Sequence, residues 1–314
     1  MSFWQPTAPC TPDACVPAAA GPVAPARAAA RLAVLAAVFC AGVALVPAVA
    51  RLPAAPRDRL VRLWCRALVR CAGVRARFTG TAPRDGGLLL VANHISWLDI
   101  PLLAAVRPAR MLAKREIRDW PVAGRIAALG GTLFITRDRP RALPGTVAGI
   151  AEALRAGSAA AAFPEGSTWC GRGQGTFRRA VFQAAVDAGV PVQPVRITYR
   201  LAAGEPSTVP AFVGGDTLAA SLWRVAAARG VTAEVRVLAP LTDHEGGRRT
   251  LAGAAQAAVV PLATAARDDH APGTGHVPAP RDPAPRPVAV RPRYLPRPAS
   301  RASRVRESTS AARS

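Results

Sequence analysis

Between residues 76 and 242, short apolar runs alternate with stretches in which apolar residues recur at helical spacing. Apolar runs bounded by turn residues read as buried strands. Strands are predicted at 88–92, 132–136, 159–163, 192–198, 211–213 and 234–238, and helices at 97–105, 119–129, 140–156, 176–188 and 216–229. In the fourth helix Phe177, Ala180, Val181, Ala184, Ala185 and Ala188 share one face, and Gly189 supplies a stop. One more Ala-rich helix is predicted over 244–266. Such alternation predicts an α/β domain over 75–243, with a mixed, mostly parallel sheet flanked by helices.

The pattern differs on either side. Residues 1–26 are rich in Pro, Ala and Thr and have no periodicity, and are expected to be disordered. Residues 32–50 carry no charge. At 1.5 Å per residue such a run approaches the ~30 Å of a bilayer core, so a membrane anchor is expected. A cleaved signal peptide, with Ala48-Val49-Ala50 as its cleavage site, and a buried core helix are the competing readings. In 57–72, Arg59, Arg62, Arg66 and Arg70 recur at helical spacing, opposite Leu60, Val61, Trp64, Leu68 and Cys71. This predicts a basic amphipathic helix at a membrane surface, or one packed on the domain with a solvated arginine face. Residues 27–74 thus form an N-terminal, membrane-associated helical segment. Arginines concentrated after the apolar run place the α/β domain on the cytoplasmic side of the cell membrane. Residues 267–314 are rich in Arg and Pro and are expected to be a disordered basic tail.

The formal net charge of +22 favours anionic partners, a membrane surface above all. Nucleic acid is not indicated, because aromatics are only 5% and no nucleic-acid fold signature is present. None of the six cysteines forms a Cys-x-x-Cys pair or stands at zinc spacing from a histidine, so neither a metal site nor a disulfide framework is expected.

Candidate chemistry gathers where predicted strands end. His94 and Asp99 follow strand 88–92. Histidine takes up a proton near neutral pH, and an acidic neighbour holds its tautomer and stabilises the cation. Ser96-x-x-Asp99 also fits a helix-capping box. Arg137 follows strand 132–136 as a donor suited to phosphate or carboxylate. Glu165 and Gly166 follow strand 159–163 in a Pro-Glu-Gly turn. Val190-Pro191-Val192-Gln193-Pro194-Val195 reads as an irregular strand entry.

Together these blocks resemble the glycerolipid acyltransferase family, which includes 1-acylglycerol-3-phosphate acyltransferases. The family's Asn-His-x-Ser-x-x-Asp block is matched at Asn93, His94, Ser96 and Asp99, and its Gly-x-x-Phe-Ile-x-Arg block at Gly131, Phe134, Ile135 and Arg137. Its Phe-Pro-Glu-Gly-Thr-Arg-Ser block is matched at Phe163 to Gly166, and its Val-Pro-Val-x-Pro-Val block from Val190 to Val195. Lys114 lies in a segment similar to the family's between the first two blocks. The resemblance implies acyl transfer from acyl-CoA or an acyl-carrier protein to a lysolipid hydroxyl, foremost 1-acylglycerol-3-phosphate, giving phosphatidic acid. It implies His94 as general base, Asp99 as its partner, and Arg137, Glu165, Gly166, Phe134 and Lys114 as substrate-binding residues. No cofactor is implied beyond the acyl donor. An oxyanion would find donors among backbone N–H groups at the start of the helix after His94. The third block departs from the family at Thr168, where an arginine is usual. Some similar bacterial enzymes have Thr there and acylate lyso-ornithine lipids, so that acceptor is the alternative. A non-enzymatic anionic-lipid or nucleic-acid binding protein is the reading from charge alone. A secreted hydrolase lacks its Gly-x-Ser-x-Gly elbow.

Overall fold

A computed structural model describes residues 8–16, 23–119, 124, 130–135 and 140–260. The predicted helix over 119–129, the basic tail and Arg137 therefore lie almost wholly or wholly outside the described residues. The helices are α1 (Pro12–Cys15), α2 (Pro25–Val49), α3 (Ala54–Cys71), α4 (Asp99–Val106), α5 (Leu143–Arg155), α6 (Ala180–Ala188), α7 (Leu218–Ala227) and α8 (Gly247–Val259). The strands are β1 (Arg75–Thr79), β2 (Leu88–Ala92), β3 (Arg110–Lys114), β4 (Leu133–Ile135), β5 (Ala159–Ala162), β6 (Val192–Arg200) and β7 (Thr232–Val237).

Among the described residues the strands form one seven-stranded sheet in the order β1-β7-β6-β2-β5-β3-β4. Every neighbouring pair is parallel except β6 with β7. The predicted mixed, mostly parallel sheet with flanking helices is what the chain forms. β2 is buried along its whole length, and successive side chains point to opposite faces. Leu88, Leu90 and Ala92 join Val195, Ile197 and Tyr199 in a core with Val69 of α3, Leu102 and Leu103 of α4, and Val225 of α7. Leu89 and Val91 join Val192 in a second core with Ile150 and Leu154 of α5, Phe182 of α6, and Leu251 and Ala255 of α8. Burial of each large apolar side chain contributes roughly 1.5–3 kcal/mol. β5 is four alanines, all buried, so both layers can approach the sheet centre closely. Gly189 ends α6 at φ 64°, a left-handed conformation that a β-carbon would oppose.

Three readings of the sequence are corrected. Residues 211–213 are a buried loop, not a strand, and Phe212 donates its N–H to the Ile95 carbonyl at 2.9 Å. β1 and β3 were not predicted, because their arginines and lysine interrupt the apolar signal. Residues 8–16, in the segment expected to be disordered, pack on the domain. Cys10 is buried in the core with Ile95, Cys170 and Val213, and Thr11 caps α1 by accepting the Ala14 N–H.

α2 and α3 pair through a close contact. The Trp64 indole N–H donates to the Val38 carbonyl at 2.9 Å, over Gly42, where a β-carbon would lie 2.1 Å from that indole nitrogen. α2 is long and apolar enough to cross a membrane, and Val34, Phe39 and Leu45 on it are exposed. Leu52, Leu60 and Leu63 extend the exposed apolar surface onto the turn and α3. The arginine face of α3 is only partly solvated, since Arg66 lies over the Phe78 ring at 4.7 Å. At its other end α2 is fixed to the domain. Ala28 is fully buried, and Arg31 donates to the carbonyls of Ala226 and Ala228 at 2.7 and 2.9 Å.

Candidate active site

The site is built at the ends of the central strands. β2 runs parallel to β5 on one side and β6 on the other, so the loops after β2 and β5 emerge together. Where the β2 backbone turns away, the Asn93 side chain continues the ladder. Its Nδ2 donates to the Ile197 carbonyl at 2.8 Å and its Oδ1 accepts the Ile197 N–H at 2.9 Å. Only a carboxamide offers both a donor and an acceptor of this shape. That pairing sets the direction in which the next residue leaves the sheet.

The next residue is His94. Its Nδ1 lies 2.9 Å from Asp99 Oδ2, and its ring stacks on Phe163 with centroids 3.9 Å apart and planes at 11°. Its main-chain N–H donates to Glu165 Oε2 at 3.2 Å, and its carbonyl accepts the Trp169 N–H at 2.8 Å. Backbone and ring are thus held from the β5 side. With Nδ1 committed to Asp99, Nε2 is the nitrogen left to meet a substrate.

Asp99 is fully buried. Oδ2 also accepts the N–H groups of Ile95 and Ser96 at 2.6 and 2.7 Å, and Oδ1 accepts the Tyr199 hydroxyl at 2.6 Å. A buried carboxylate with four donors is held in one place, each of its oxygens satisfied. Burial, and then the adjacent Asp99 charge, pushes the Tyr199 phenol well above its ordinary value, so it remains a donor. Half of the capping reading coexists with the catalytic one, since Ser96 Oγ accepts the Leu98 N–H and not that of Asp99. Asp99 reaches back to the Ser96 N–H as a capping box requires, while the same oxygen holds His94. This occupies most of the expected oxyanion donors, the Trp97 N–H excepted. The N–H groups of Ile95 and Ser96 serve Asp99, those of Asp99 and Ile100 serve the carbonyls of Ser96 and Trp97, and that of Leu98 serves Ser96 Oγ.

Glu165 is 3% exposed and lies beneath the His94 main chain. Burial raises its carboxyl to about 8, against the pull of the His94 N–H. Gly166 turns at φ 78° beside it. Phe134 on β4 and Lys114 on β3 lie towards one edge of the sheet, with β5 and β3 between β4 and the strand that delivers His94. Sheet spacing of ~4.8 Å puts β4 about 14 Å from β2. The structure therefore brings together His94, Asp99, Glu165 and Gly166 and sets Phe134 apart from them, while Lys114 ends β3, the neighbour of the strand that leads into Glu165. Thr168 turns inward, and its hydroxyl donates to the Phe212 carbonyl. Arg172, Arg178 and Arg179, on the same loop, are exposed. Tyr199 and the ring of Phe163 were not singled out from the sequence. The alternation Val195, Ile197, Tyr199 in a strand with a buried face would have pointed the phenol to the side of β2 that carries Leu90 and Ala92.

An Acyltransferase family profile matches residues 74–198, spanning β1 to most of β6. A lyso-ornithine lipid O-acyltransferase from Pseudomonas aeruginosa is 40% identical over 215 residues, 67% of this chain and 81% of that protein. The chain belongs to the glycerolipid acyltransferase family. A 1-acyl-sn-glycerol-3-phosphate acyltransferase from Neisseria gonorrhoeae is 37% identical over 149 residues, 48% of this chain and 58% of that protein. The fold is that of the crystal structure of the 1-acyl-sn-glycerophosphate acyltransferase from Thermotoga maritima. The two match with a TM-score of 0.56 and 18% identity over 74% of this chain and 94% of that one. As a member of this family the protein is an enzyme, an acyltransferase, and not the non-enzymatic binding protein its charge alone allowed.

Proposed function

We propose that this acyltransferase O-acylates a lysolipid at the membrane surface, that its acceptor is a lyso-ornithine lipid, and that acyl-CoA or an acyl-carrier protein supplies the acyl group. His94 Nε2 removes the proton from the acceptor hydroxyl as its oxygen attacks the thioester carbonyl. Asp99 stabilises the imidazolium that forms. The tetrahedral intermediate collapses with formation of the ester C–O bond and cleavage of the C–S bond, and the imidazolium returns its proton to the departing thiolate. Both substrates are bound before chemistry begins, and no acyl-enzyme forms.

The choice of acceptor rests on Thr168. A phosphomonoester headgroup carries close to two negative charges, which a guanidinium meets with paired hydrogen bonds. Here the position is neutral, and its hydroxyl is occupied by Phe212. The likeness to the Pseudomonas lyso-ornithine lipid enzyme points the same way. Lysophosphatidate, which the sequence blocks rank first, is the second reading, favoured by Arg137 in its family block.

The helix pair supports a membrane location. Trp64 holds α3 beside the middle of α2, and α3 carries Arg57, Arg59 and Arg62 towards the far end of the pair. Full crossing by α2 would draw those arginines into hydrocarbon, at ~2.5–3.5 kcal/mol each on insertion scales. The pair instead embeds its apolar surface in one leaflet, the cytoplasmic one, with arginines among the headgroups.

The test uses purified full-length enzyme in mixed micelles with one acyl-CoA and, in separate assays, lyso-ornithine lipid and lysophosphatidate. Turnover at least tenfold faster on lyso-ornithine lipid, abolished in His94→Ala, is expected. The reverse order overturns the acceptor and spares the acyl transfer. Turnover unchanged by His94→Ala overturns the assigned base.

A further inference from the structure

Behind the active-site loop three cysteines converge from distant parts of the chain. Cys10 and Cys15 come from the N-terminal segment, Cys170 from the loop after β5, and their Sγ atoms all lie within 4.8 Å of one another. All three are free thiols; Cys10 and Cys170 are buried and Cys15 is half-buried. α1 sets the spacing of the first two. Thr11 caps this single turn, and the Cys15 N–H closes it on the Thr11 carbonyl at 3.0 Å. Cys170 follows Trp169, whose N–H holds the His94 carbonyl. The backbone N–H groups of Arg172 and Gly173 lie close enough to the Cys170 sulfur to favour its thiolate.

We propose that Cys10, Cys15 and Cys170 form a metal site for a thiophilic d10 ion, zinc(II) or copper(I). Three sulfurs within 4.8 Å of one another, two from the N-terminal segment and one from the loop after β5, match the thiolate-rich coordination these ions prefer. Each thiol gives up its proton to solvent as its thiolate binds the ion. With zinc(II) the three thiolates leave one negative charge, and the N–H groups of Arg172 and Gly173 lie close to that charge as outer hydrogen bonds do at other metal centres. Half-exposed Cys15 marks the side from which the ion enters and where a solvent ligand completes a zinc sphere. A cysteine pair joined by oxidation would use two of the sulfurs and leave the third, so the threefold convergence favours an ion.

The ion clips the N-terminal segment to the loop that braces His94. The segment also packs on the 208–215 loop, where a β-carbon on Gly214 would lie 2.9 Å from the Cys10 carbonyl. The long separation in sequence between Cys15 and Cys170 is why no zinc spacing was visible in the chain.

The test begins with metal analysis of full-length enzyme purified with a thiol reductant and without chelator. About one zinc or copper per chain is expected, and the element found identifies the ion. Refolded with cobalt(II), a zinc site should show thiolate-to-cobalt charge-transfer bands. Cys15→Ser and Cys170→Ser should each lose most of the metal, whereas Cys40→Ser, on exposed α2, should retain it. Chelation should raise hydrogen exchange in residues 8–16. A metal-free protein, a two-dalton mass loss marking a disulfide among these cysteines, or metal content unchanged in both ligand variants would each overturn the proposal.

Discussion

Asp99→Asn is the sharpest probe of the His94 geometry. The asparagine oxygen can replace Oδ2 and keep accepting from Ile95, Ser96 and His94, while its amide group faces the Tyr199 hydroxyl, which can rotate to accept. The fold therefore survives, but four hydrogen bonds to an anion become bonds to a neutral group. A charge-assisted bond contributes ~1.5–3 kcal/mol and a neutral one ~0.5–1.5, a difference of about 1 per bond. Relief from burying a charge offsets part of the total. A net loss of about 2 kcal/mol corresponds to a Tm decrease of roughly 4–8 °C for a domain of this size. The imidazolium formed during proton abstraction loses its counter-charge, which should lower kcat by about 10³–10⁴-fold, or ~4–5.5 kcal/mol of barrier. The assay follows thiol release from acyl-CoA in micelles containing the acceptor, alongside thermal unfolding of the same preparation. Activity within tenfold of wild type in a folded variant would show that Asp99 only caps a helix.

Glu165 makes stability depend on pH. Its folded carboxyl titrates at about 8 instead of near 4.5, because burial disfavours the charged form. The folded state therefore holds this proton more tightly than the unfolded state, and stability should fall as pH rises from ~4.5 through ~8. Glu165→Gln should flatten that part of the Tm-against-pH curve, and an unchanged slope would assign it to another group. Asn93→Ala should cost about 2–4 kcal/mol in denaturant unfolding, because it orphans both the N–H and the carbonyl of Ile197; a change under 0.5 kcal/mol, well below that ~2 kcal/mol floor, would refute the ladder role. Gly42→Ala should separate α2 from α3 at a cost of about 1–3 kcal/mol, seen as a red shift of tryptophan emission. Adding Trp64→Ala should remove that cost, and simple additivity of the two changes would contradict the proposed contact.

The central strands and the His94–Asp99 pair were legible because their signals are local. An all-apolar β2 announces burial, and residues at a fixed short spacing after it share one turn. Glu165 was legible as belonging to a turn at a strand end but not in its posture, since only the packed structure reveals that it braces the His94 backbone. β1 escaped because Arg75 and Arg77 sit on a strand whose burial alternates between exposed and half-buried. The 211–213 run misled for the opposite reason. It is apolar because it lies under the loop after β2, and its Phe212 N–H serves that loop while its Ala211 N–H closes a turn on Thr208, instead of pairing with a neighbouring strand. Tyr199 and the three cysteines meet their partners only through the topology, so no window along the chain contains the signal.

Arg31 binds two carbonyls at the end of α7 from the helix whose exposed apolar face is proposed to meet lipid. A tether of that kind fixes the tilt and depth of the whole catalytic body, where a flexible linker would leave it to tumble. The acceptor then reaches the enzyme by lateral diffusion in two dimensions. The quantity that governs its encounter rate is its mole fraction in the leaflet, and dilution with inert detergent or lipid should slow the enzyme even when the bulk concentration of acceptor is held constant.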